Sequence, residues 1–255
     1  MDGTSGGSAN ARAIARLWTE AARRAVGDST RVSVLYSGGL DSSLVAWGAR
    51  PCQEIELVTV GVEGSFDLIA AERGARLLGL PWTRRAVDRS DAERFMRREK
   101  TALDAASEAS RPVLLGLGLA LESARHPRVL CGQGADELFL GYAHFNGLTS
   151  SEADGQRRRD LERLLTEDWP LSVALATRCG KDLRSPFLDA EFLTGVRELP
   201  IDQVSSGTAR KSMLREIARW LGLPPELVER PKKAFQYGSG LAKLLKASGP
   251  RRGRA

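Results

Sequence analysis

The 255-residue chain is 42% hydrophobic and 27% charged, an ordinary composition for a globular protein with one sizeable core, or a core and a helical extension. No apolar run approaches the ~20 residues that span a bilayer. The polar, Gly/Ser-rich start from Met1 to Ser8 is not a signal peptide and is expected to be mobile, as are the first ten residues as a whole. Three well-separated cysteines (Cys52, Cys131, Cys179) and two histidines (His126, His144) argue against a disulfide framework and a zinc site, and point to a reducing cytoplasm. The net charge of +6, with a pI near 9.5, suits anionic partners such as nucleotides, although arginines on solvated helix faces account equally well for it.

Apolar residues at helical spacing (Ile14, Leu17, Trp18, Ala21, Ala22, Ala25) predict a first helix over 11–26. Val32 to Tyr36 is a short β-branched run ending in glycines, which reads as a buried parallel strand. A helix over 42–48 follows, then a strand over 55–62, a helix over 67–78 stopped by Gly79-Leu80-Pro81, and a third strand over 82–87. Ser90-Asp91 caps another helix, residues 112–124 form an apolar one, and 128–131 is a fourth strand running into glycine. This alternation predicts an α/β fold with a doubly wound parallel sheet, whose ligands sit beyond the carboxyl ends of the strands. After Tyr142 the pattern turns helical: 143–157 reads as a long polar loop, 161–178 and 209–221 as helices, and no further strand is expected. Residues 11–248 are read as one unit, with a sheet core over about 30–142, a helical part over about 158–248, and a disordered basic tail over 249–255.

Two glycine-rich segments fall at strand ends. The first is Ser37-Gly38-Gly39-Leu40-Asp41-Ser42-Ser43, between a strand and a helix. Glycines let backbone N–H groups converge on an anion, the helix start adds its positive dipole end, and three hydroxyls can donate. No Gly-Lys-Ser/Thr follows, so this is not a Walker loop. A carboxylate, Asp41, among phosphate donors calls for a cation between them, which implies Mg²⁺. A simple helix-capping turn is the bland alternative; it fits a bare Gly-Gly better than the whole heptad. The second segment runs from Cys131-Gly132-Gln133-Gly134-Ala135-Asp136-Glu137 to Tyr142, and places Asp136 where it could hold the same ion.

The first heptad resembles the pyrophosphate loop of the N-type ATP pyrophosphatases, the PP-loop superfamily with its adenine nucleotide alpha hydrolase-like fold. The second segment resembles a signature of the synthetase domain of asparagine synthetases. Three weaker matches follow in order: Gly180 to Asp189 ending in Pro-Phe-Leu-Asp, Lys211 to Glu216, and Arg230 to Gly240. The motif order covers residues about 30–245. The resemblance implies ATP contacts from Tyr36, Ser37, Gly38, Gly39, Asp41, Ser42, Val60, Cys131 and Gly132, metal ligation by Asp41 and Asp136, and catalytic roles for Asp136, Glu137 and Lys232. Lys232 aligns with the family's catalytic lysine; a cation there would neutralise charge on the α-phosphate.

The chain departs from the family pattern in three places. It carries no glutaminase domain with an N-terminal cysteine nucleophile, so ammonia is expected to arrive free or from a separate glutaminase. Gln133 stands where the family has glutamate, and an amide cannot act as a base. The polar neighbours of Lys233, from Ala234 to Tyr237, also differ. The expected function is an ATP-dependent amide ligase: a small carboxylate is adenylated, then attacked by ammonia or an amine. The alternatives are an RNA-modifying adenylating enzyme and a catalytically idle ATP-binding scaffold. Nucleic acid is the less favoured partner, and a homodimer is left open.

Overall fold

The computed structural model describes residues 5–205, 210–230 and 235–248. The chain runs α1 (Ser5–Val26), β1 (Arg31–Leu35), α2 (Leu40–Gly48), β2 (Glu54–Gly61), α3 (Phe66–Leu78), β3 (Trp82–Ala86), α4 (Arg89–Arg98), α5 (Lys100–Ala105), α6 (Arg111–Ser123) and β4 (Arg128–Leu130). It continues through α7 (Ala135–Leu138), α8 (Ser150–Arg163), α9 (Trp169–Arg178), β5 (Asp182–Arg184), α10 (Ala190–Arg197), α11 (Ile201–Val204), α12 (Ser212–Trp220), α13 (Pro225–Val228), α14 (Phe235–Gly238) and α15 (Leu241–Ser248). All five strands are parallel, in the order β3-β2-β1-β4-β5. The order reverses between β1 and β4, so the crevice of this doubly wound sheet opens there, beyond Leu35 and Leu130.

Side-chain alternation along the strands divides the apolar residues between two cores. Val32, Val34, Leu57 and Leu130 face α1, α2, α3 and α12. Val58, Val60, Val129 and Leu183 face α6 and α9. Burial on both faces is why β1 and β2 read as continuous apolar runs rather than alternating ones.

Two expectations for the second half are corrected. Residues 182–184 form a fifth strand at the sheet edge; only Leu183 is buried, between two charged residues, so three residues left no periodic signal. The stretch read as a loop over 143–157 contains a 3₁₀ turn at Ala143–Phe145 and most of α8. Thr149 and Glu152 close a reciprocal capping box at the start of α8. The buried face of α8 includes Arg157 and Asp160 beside Ala153 and Leu161. A helix that buries charged groups shows no apolar period.

The Pro186-Phe187-Leu188-Asp189 segment joins the helical half to α1. The Phe187 ring lies 4.4 Å from Trp18, and Phe192 lies 5.4 Å from the same indole. Asp189 caps α10 through the Phe192 N–H and accepts two hydrogen bonds from Arg24, at 2.8 and 2.7 Å. That pairing holds its carboxyl below the ordinary value of 3.8.

Candidate active site

The two glycine-rich turns lie side by side at the switch point. Gly38 sits at φ +69°, and a Cβ there would come within 2.6 Å of the Ala70 carbonyl, so α3 packs on the loop only because residue 38 is glycine. Ser42 Oγ receives the Ser37 N–H at 3.2 Å and donates to the Gly39 carbonyl at the same distance, which folds the loop against the start of α2. Arg230 donates to the Ser37 carbonyl at 3.2 Å and stacks on Phe66. Gly132 then approaches so closely that a Cβ would lie 3.2 Å from Asp41 Cβ.

Asp41 and Asp136 meet at one point. Lys211 Nζ lies 2.6 Å from both Asp41 oxygens and 2.7 Å from Asp136 Oδ1. Lys211 is 3% exposed. Burial pulls its ammonium below the ordinary lysine range, and the Asp41 charge opposes that shift. Gly141 makes the arrangement fit: a Cβ there would fall 1.9 Å from Asp136 Oδ1 and 2.4 Å from Lys211 Cε. Two carboxylates converging on one cationic centre are the donor set that Mg²⁺ takes from a protein when phosphate and water oxygens complete its shell. Among the described residues, no group of three or more candidate ligands exists.

A cavity of about 490 Å³ opens from this point. One wall is apolar and includes Val58, Val60, Val113, Leu114 and Leu117, a surface suited to a flat base. The other end carries Gln133, Glu137, Tyr142, His144, Asp168 and Ser172. Of the residues singled out from sequence, Tyr36, Ser37, Asp41, Ser42, Val60, Cys131, Gly132, Asp136 and Glu137 line this cavity, while Gly38 and Gly39 shape the loop behind it. Lys232 lies outside the described residues.

In three of these residues the side-chain polar group is already enclosed or engaged. The Tyr36 hydroxyl meets Ser43 at 3.2 Å, and burial raises it to about 12, so the phenol belongs to the core. The Cys131 thiol is fully enclosed and also raised to about 12. Glu137 accepts a 2.5 Å hydrogen bond from Tyr142, and burial pushes its carboxyl above the ordinary range. In turn, burial and the Glu137 carboxylate push the Tyr142 phenol well above its ordinary range.

The sequence model of the family described as asparagine synthase matches residues 13–178 and 149–248, nearly the whole chain. The chain belongs to the asparagine synthase family. A Methanocaldococcus jannaschii protein, whose provisional name is asparagine synthetase 1 (glutamine-hydrolyzing), is 30% identical over 84% of this chain and 47% of its own length. The glutamine-hydrolyzing asparagine synthetase of Mus musculus is 29% identical over 87% of this chain and 42% of its own. The chain thus spans less than half the length of these family members. Among solved structures, the NMN synthetase of Francisella tularensis is 11% identical, covers 97% of this chain and 89% of its own, and superposes with a TM-score of 0.46.

Two residues of the site escaped sequence reasoning. Lys211 was noted only as part of a matching segment, yet it is the cation at the centre of the site. The available signal was a lysine at the head of a helix whose second and third residues, Met213 and Leu214, are buried. His144 fell in the stretch read as a loop; its imidazole lies 2.7 Å from the buried carboxylate of Asp160.

Proposed function

We propose that this chain binds ATP between its two glycine-rich turns, adenylates a small carboxylate with release of pyrophosphate, and passes the acyl group to ammonia or an amine with release of AMP. The observation that carries this reading is the meeting of Asp41 and Asp136 around one cationic nitrogen at the switch point of the sheet. In the proposed complex, backbone N–H groups of 37–40 and the hydroxyls of Ser37 and Ser42 bind the pyrophosphate end, and the apolar wall with Val60 takes the adenine. Asp41 and Asp136 hold Mg²⁺, which when bound neutralises charge on the phosphate oxygens. Lys232 is assigned to the α-phosphate by the family resemblance alone. Glu137, clamped by Tyr142, orients the loop behind Asp136. The ammonia is free or supplied by a separate glutaminase, and the setting is the cytoplasm.

The test is pyrophosphate release from ATP with a panel of carboxylates that includes L-aspartate, in the presence of ammonium. Asp41→Asn and Lys232→Ala are each expected to lower the rate about 100-fold or more, the scale on which charge-stabilising groups act. Full activity in both variants would remove the mechanism.

A further inference from the structure

The second half of the proposed reaction needs a group to take the proton that the attacking nitrogen sheds, and the acceptor end of the cavity offers few. Gln133 is an amide, and its Nε2 donates to Ser172 Oγ at 3.1 Å. Glu137 is buried and engaged by Tyr142. Asp168 accepts from Ser110 at 2.7 Å and faces Arg163 at 3.7 Å. Asp41 and Asp136 are occupied with Lys211.

His144 differs from all of these. An imidazole is the side chain whose ordinary range straddles neutrality. Its Nε2 lies 2.7 Å from Asp160 Oδ2, and Asp160 is only 6% exposed. Gln156 donates to the other Asp160 oxygen at 2.9 Å, so the carboxylate is itself held. The ring is flanked by Tyr142 and Phe145, with centroids at 5.2 and 4.6 Å. With Nε2–H given to Asp160, Nδ1 carries the lone pair, and a 46% exposed side chain can hand a proton on to solvent. A carboxylate that fixes the tautomer of an imidazole on a cavity wall is the arrangement of an oriented base. The charged and titratable groups around it are Asp160 and Arg163 of α8, Asp168 in the following turn, and Glu137 and Tyr142 of the loop.

We infer that His144, oriented by Asp160, is the proton acceptor of the amide-forming step. The inference rests on the proposed function. In that step the lone pair of the amine attacks the acyl carbon and a C–N bond forms. The bond from that carbon to the AMP oxygen breaks, and AMP leaves with the electron pair. The proton on nitrogen passes to His144 Nδ1.

Two reactions separate this inference from the reading beneath it. Exchange of labelled pyrophosphate into ATP, driven by a panel of carboxylates led by L-aspartate, reads adenylation, a step in which His144 is given no part. Amide formation with ammonium reads the second step. His144→Gln is expected to lower amide formation about 100-fold while exchange persists, with partial rescue by imidazole in the buffer. Asp160→Asn, which removes the carboxylate that fixes the tautomer of the ring, should lower amide formation while exchange persists. Amide formation at the wild-type rate in His144→Gln, or an equal loss of both reactions, would overturn the inference and leave the ligase reading standing. Silence of wild-type exchange with every carboxylate would overturn both. A reading independent of turnover comes from the His126→Gln protein, whose one remaining imidazole can be observed by nitrogen NMR. Its ring-nitrogen shifts should report the Nε2–H tautomer and lose that preference on Asp160→Asn, and a tautomer indifferent to the change would also overturn the inference.

Discussion

The two ends of the cavity are built on opposite principles. At the end proposed for the nucleotide, the geometry rests on backbone and on glycines that a Cβ would displace. Gly38, Gly132 and Gly141 each admit a neighbour that a Cβ would strike or crowd, and Lys211 binds two acids at once. At the end of the cavity proposed for the acceptor, side chains from several separate elements meet in hydrogen-bonded pairs, among them Gln133 with Ser172, Glu137 with Tyr142 and His144 with Asp160. The first end is rigid because its alternatives are sterically closed. The second is specified by pairwise hydrogen bonds, which can be exchanged singly. A fold can keep the first while the second changes, which is a physical route to new specificities on one scaffold.

Lys211→Met should break this contrast most severely. It leaves two converging carboxylates without their cation, and the loss of a buried partner costs about 3 kcal/mol or more. Thermal and urea denaturation should show it, and added Mg²⁺ should raise the midpoint of the variant more than that of wild type. An unchanged midpoint would mean that the ammonium does not hold the loops together.

The ends also differed in how far sequence alone could reach them. Strands β1 to β4, the parallel topology and the Asp41–Asp136 pairing follow from local signals: β-branched runs, glycine at strand ends, a carboxylate among phosphate donors. The acceptor end depends on α8, whose inward face carries Arg157 and Asp160, and Arg157 reaches the carbonyl of Arg197 at 3.1 Å. Burial there is paid for by long-range hydrogen bonds between residues some 40 apart, which no hydropathy pattern records. Its one local mark was the Thr149–Glu152 box. The partners of Lys211 were illegible for the same reason: they lie 170 and 75 residues away.

The next effect in size contrasts one glycine from each end. Gly141→Ala puts a methyl 1.9 Å from Asp136 Oδ1, so the carboxylate or the loop must move. The expected cost is about 1–3 kcal/mol, with pyrophosphate release falling about tenfold or more. Gly155 of α8 meets only the tip of Arg159, at 3.5 Å. Gly155→Ala should therefore be neutral or stabilise by about 0.5–1 kcal/mol. Comparable melting temperatures for both variants would show that the nucleotide end is looser than its geometry implies.

Tyr142→Phe probes the hydrogen-bonded end. It removes the donor to a buried carboxyl, at about 1–2 kcal/mol. Burial already raises Glu137 above its ordinary value of 4.5, so the folded state holds that proton more tightly and stability falls as pH rises through this window. The Tyr142 hydrogen bond works against the rise, so its removal should steepen the fall in melting temperature from pH 5 to pH 8. Parallel profiles for wild type and variant would place Glu137 outside the titration.

The smallest effect tests the buttress that both ends share. Asp189 ties α10 to α1 through Arg24, and its carboxyl is held below 3.8, first by that hydrogen-bonded pair. A depressed carboxyl stabilises the fold above its unfolded value and loses that contribution as pH falls through its folded value. Asp189→Asn keeps a side chain able to cap α10 and removes only the charge. Arg24 is one-third exposed, so screening limits the deficit to about 1 kcal/mol. The deficit should be full at neutral pH and shrink as the solution is acidified below about pH 4. Because α1 packs on β4 as well as on α10 and α12, a deficit that instead persists at low pH would assign the tie to packing by Phe187 and Trp18 rather than to charge.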